Sequence, residues 1–150
     1  MFFHLNNRAI LKISGNDAES FIQSQLSNDI GQLNNESVQL SAYCQHQGKI
    51  LSLFWVIRNE EGFYLSFPKD LLDSIQSRLK MFVIMSDVFI EDVTMLFAQI
   101  GVLEEKGFPS LSINEKLSLI ILDNTDLSNF DLGPNDLWDK ACIDCHLPDV

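Results

Sequence analysis

The chain has 150 residues, 46% of them apolar and 21% charged, which suffices for the core of one domain and is unlike a disordered segment. Its net charge of −11, with the Lys and Arg residues scattered, repels phosphate backbones and anionic membranes, so direct nucleic-acid or membrane-surface binding is not expected. The N-terminus has no basic stretch followed by a long apolar one. The longest unbroken apolar runs, Leu53 to Ile57 and Met81 to Met85, are too short to cross a bilayer. A cytoplasmic location is expected, and there three cysteines read as free thiols. Phenylalanine is abundant, as in a core or a flat ligand cavity.

Ala9 to Ile13 reads as a strand, and Ser14-Gly15-Asn16 as a turn. Asn16 is predicted to cap a helix from Asp17 to Leu26, with Glu19 reaching back as in a capping box. Val38, Leu40, Ala42 and Cys44 alternate with polar residues, so they are expected on the buried face of a strand that leaves Cys44 inward and inert. Ile50 to Ile57 is nearly all apolar, the pattern of a central strand covered on both faces. Phe63 to Phe67 completes an antiparallel meander through Glu60-Glu61-Gly62.

Pro68 is expected to start a helix whose apolar face is Leu71, Leu72, Ile75, Leu79 and Phe82. Val88 to Val93, Met95 to Leu103 and Leu117 to Leu122 read as further strands, and Asn135 to Cys142 as a short helix carrying Trp138. The sum is α+β: a mostly antiparallel sheet with two or three helices. The loop from Glu104 to Lys116 suggests a boundary between subdomains 1–103 and 104–150.

Cys142-Ile143-Asp144-Cys145-His146 matches the C-x-x-C-H of c-type haem attachment, and its first four residues a redox pair or half a zinc site. Haem attachment would need export, and zinc needs four ligands, with only His4, Cys44 and His46 left to supply them. The pattern is carried as a redox or haem alternative. The pairs Glu60-Glu61, Glu91-Asp92 and Glu104-Glu105 read as solvated turns and edges, and His4 and His46 as surface residues.

Four stretches in order carry a family resemblance. Ile13-Ser14-Gly15-Asn16-Asp17-Ala18-Glu19-Ser20-Phe21-Ile22-Gln23-Ser24-Gln25 is followed by Ser27-Asn28-Asp29. Next come Ala42 through Ile50 with the trailing Arg58, then Leu79 through Val88, and finally Trp138 through Pro148. Together they resemble the opening of YgfZ-type folate-binding proteins, relatives of the glycine-cleavage T protein. The resemblance implies a three-part fold with folate, as tetrahydrofolate, in a central cavity. It also implies a role in assembling or repairing iron–sulfur enzymes, which act in turn on tRNA.

Trp138 matches a tryptophan that the family sets against folate. Its alternative role is to pack its helix on the sheet. On the first strand Arg8 stands where an aromatic often lies opposite the folate. Leu51-Ser52 replaces the acidic residues of true aminomethyltransferases, which argues against that activity while leaving it as the second reading. No other site residue is expected. The family's K-G-C-Y-x-G-Q-E signature is absent, so the resemblance implies an N-terminal portion. Such a portion would expose apolar area and tend to self-associate. Folate and iron–sulfur client enzymes are the expected partners.

Overall fold

The computed structural model describes residues 1–45, 48–105, 109–145 and 147. Among them, nine strands form two antiparallel sheets, and three helices pack on them. The strands are β1 (Phe2–His4), β2 (Arg8–Ser14), β3 (Gln39–Cys44), β4 (Ile50–Arg58), β5 (Gly62–Pro68), β6 (Phe89–Asp92), β7 (Phe97–Leu103), β8 (Leu111–Ser112) and β9 (Leu117–Asp123). The helices are α1 (Ala18–Gln25), α2 (Leu72–Met81) and α3 (Asn135–Asp144). One sheet runs β3-β4-β5-β2-β6 and the other β1-β7-β9-β8.

The α+β class and the β3-β4-β5 meander are as expected, and the apolar run of β4 is covered on both faces. Phe54 and Val56 point into a core beneath α1 and α2, with Leu11, Ile13, Phe63, Leu65, Phe67 and Leu79. Trp55 and Ile57 point the other way, into a second core against Phe3, Leu117, Leu119 and Trp138.

Several expectations are corrected. Asn16 does not cap α1. The helix starts one residue later, after Asp17, whose N–H donates to the Asp87 carbonyl (3.0 Å) while the Asp87 N–H donates to Asp17 Oδ2 (2.8 Å). Glu19 pairs with Arg58 (2.7 Å) instead of reaching back. At Gly15, φ is +108° and an added Cβ would lie 2.2 Å from the Asp87 carbonyl oxygen, so glycine lets the two loops meet.

On β3 the buried residues are Ser41 and Tyr43, while Val38 and Leu40 reach the second core from its rim and Cys44 is half-buried. A strand enclosed on both sides need not bury its more apolar set. The Ser41 hydroxyl accepts from Asn28 N–H (3.0 Å), and the Tyr43 ring stacks on Phe54 (5.5 Å). Pro68 ends β5 opposite Arg8, and α2 begins only at Leu72, after a 3-10 turn. Phe82 lies largely outside the core. The sequence patterns also missed β1 and β8, which are too short for periodicity to register.

The sheets are tied together at their margins. The segment before β3 meets β8, with Val38 N–H donating to the Ser112 carbonyl (2.8 Å) and Ser112 N–H to the Glu36 carbonyl (2.9 Å). At the other side the chain passes from β1 to β2 in one turn, changing sheets. α3 sits against β1 and β7 and plugs one end of the space between the sheets.

Candidate functional site

The polar link between the sheets is built around Ser66. The Arg8 guanidinium donates to the Ser66 hydroxyl (2.9 Å) and carbonyl (2.8 Å), and the Ser66 hydroxyl donates to Gln99 Oε1. Gln99 Nε2 donates to the carbonyls of Arg8 (3.4 Å) and Ala9 (3.3 Å). These bonds satisfy polar groups that burial would otherwise penalise. They also fix Arg8, whose guanidinium lies 3.7 Å over the Trp55 ring.

Trp138 is inserted beside this pair. Its ring lies 6.4 Å from Trp55, edge to face, and 5.8 Å from Phe3. A Cβ on Gly101 would stand 2.7 Å from its six-membered ring, so one indole face rests on the β7 backbone. Trp138 is 4% exposed.

A cleft of about 200 Å³ opens here, lined by Arg8, Trp55, Trp138, Asp139, Cys142 and Ile143 among others. Ligand pockets run from roughly 300 to 1,000 Å³, so this cleft takes a ring or a side chain and not a whole folate. A larger groove of about 760 Å³ lies further along the same sheet face, lined by Ile57, Arg58, Asn59, Tyr64, Leu119 and Ile121 among others.

Leu51 and Ser52 lie on β4, and Ser52 is buried on the helix side of the sheet, away from the cleft. Cys142 and Cys145 are half-buried at the end of α3, packed against the second core. His46, His146 and Pro148 lie outside the described residues. Among the described residues, no group of three or more His, Cys, Asp or Glu is placed to hold a metal ion. Nor is any helix among them long and apolar enough to cross a membrane.

The sequence marked Trp138 as the candidate and Arg8 only as a departure from the family's aromatic, and it gave no notice of Trp55, Ser66 and Gln99. The overlooked signal was a Ser and a Gln interrupting apolar strands, since a polar residue in such a place needs a partner.

The architecture is that of the glycine-cleavage T-protein fold. The chain matches the glycine cleavage system aminomethyltransferase T from Bartonella henselae with a TM-score of 0.67, over 99% of this chain and 47% of that one, at 13% identity. No family model matches. In sequence the chain is 32% identical to an uncharacterized protein from Haemophilus influenzae, across 99% of its own length and 54% of the relative's. It is 25% identical to the tRNA-modifying protein YgfZ of Vibrio atlanticus, over 83% of this chain and 39% of that protein. With the YgfZ of Enterobacter sp. it shares 31% identity over 65% of this chain and 30% of that protein. In sequence the chain is thus similar to YgfZ-type proteins, and in fold to the glycine-cleavage T protein. It spans about half the length of the Haemophilus relative and less of the others.

Proposed function

We propose that this chain binds tetrahydrofolate as an accessory protein in iron–sulfur cluster assembly or repair, and so affects tRNA modification indirectly through client enzymes in the cytoplasm. The observation that carries the reading is the Arg8–Trp55–Trp138 cleft in a chain similar to YgfZ-type proteins. Indole edges suit a flat heteroaromatic ring, and a fixed guanidinium suits the carboxylates of a folate tail. The cleft holds only part of the ligand, with the remainder outside it. The division into subdomains 1–103 and 104–150 belongs to the same proposal.

Both tryptophans of the chain line this cleft, so their fluorescence reports on it directly. Titration with tetrahydrofolate is expected to quench their emission saturably, with affinity at least about tenfold weaker in Arg8→Met, the loss of one charge-assisted contact. Trp138→Phe is expected to remove part of the quenching. Absence of saturable quenching in the unaltered chain would overturn the reading.

A further inference from the structure

Three of the four sheet margins are covered by the chain itself. Ser27 N–H donates to the Ala42 carbonyl on the outer side of β3, the Glu36–Val38 segment meets β8, and Gly133 N–H donates to the Phe2 carbonyl outside β1. Among the described residues nothing pairs with the outer side of β6. Val93 N–H donates to the Ile10 carbonyl of β2, so by alternation Ile90 and Asp92 turn their backbone N–H and C=O groups to the open side. Native sheets usually protect such an edge, because it is a template for another strand.

The surroundings of this edge are mainly apolar and acidic, with Lys12 of β2, itself paired with Glu61, standing opposite Glu91. Met81, Ile84, Met85, Phe89, Met95 and Leu96 are all exposed, Met85 fully so and at a positive φ of 57°. From Met81 to Leu96 there are three carboxylates, Asp87, Glu91 and Asp92, and no Lys or Arg. Along β6 itself, Phe89 and Ile90 give an apolar residue to each sheet face, and Glu91 and Asp92 then give an acid to each.

We propose that the β6 edge receives an extended segment of another protein, pairing antiparallel and carrying two basic residues followed by two apolar ones. Antiparallel pairing continues the order of the whole sheet. In that register the basic pair meets Asp92 and Glu91, and the apolar pair meets Ile90 and Phe89. A second copy of this chain offers no basic residue there, and its net charge of −11 opposes approach.

The test uses a capped peptide of about eight residues, the reach of one strand, centred on Lys-Lys-Val-Val, with a Glu-Glu-Val-Val counterpart. Amide exchange on the full chain is expected to slow at Ile90 and Asp92 with the basic peptide only, and the effect to weaken with added salt. Ile90→Pro removes an N–H from the open side without breaking the β2 ladder, and is expected to abolish this protection. Glu91→Lys, which leaves the backbone donors in place, is expected to weaken binding about fivefold or more. Protection spread over the acidic surface, equal binding of the two peptides, or unchanged binding in Glu91→Lys overturns the proposal. So does protection of the same amides that rises with protein concentration alone, which would make a second copy the occupant.

Discussion

The two faces of the five-stranded sheet are built from similar strands and serve different ends. On the helix side, Phe54, Phe63, Leu65, Phe67, Ile75 and Leu79 interlock beneath α1 and α2. On the other side, the core is thinner, is crossed by the Arg8–Ser66–Gln99 bonds, and opens into both the cleft and the groove. Close packing is concentrated on the first face and open space on the second.

The largest expected effect tests the first half of that contrast. Phe54→Ala removes a fully buried ring and should cost about 3–5 kcal/mol in urea unfolding. Tetrahydrofolate affinity of the protein that remains folded should not change. A matching loss of affinity would show the faces to be coupled.

Gly101→Ala tests the second half. The added methyl meets the Trp138 ring, so a loss of about 1–3 kcal/mol is expected together with a red shift in tryptophan emission. Stability lost with no spectral change would mean that β7 yields and Trp138 stays.

The smallest effect concerns Tyr43. Its hydroxyl is buried beside the Arg78 guanidinium; burial raises its pKa, an effect that Arg78 partly offsets. The fold therefore favours the neutral phenol. Its contribution is full below the unfolded pKa of about 10 and is lost as pH rises through the folded value. Tyr43→Phe should change stability at neutral pH by less than about 1 kcal/mol, and should flatten the alkaline limb of a pH–stability profile.

Most strands and all three helices were legible because their apolar residues recur at the spacing of the element. The face of β3 was not, since a strand enclosed on both sides loses the contrast that alternation depends on. The division into two sheets was also hidden, because the chain changes sheets between Leu5 and Arg8 without a break in pattern. Of the candidate site, Trp138 stood out as a residue and Arg8 only as a departure from the family's aromatic, and their meeting with Trp55 depends on long-range packing that no local pattern encodes.

The turn between β1 and β2 sets an order of assembly. Strands β2 to β6 form their sheet from residues 8–92, whereas Phe2 must wait for Val102 and the rest of β7. During synthesis residues 2–4 are thus made before strands β2 to β6 yet find their place after them, and the space between the sheets closes only after β7 has emerged.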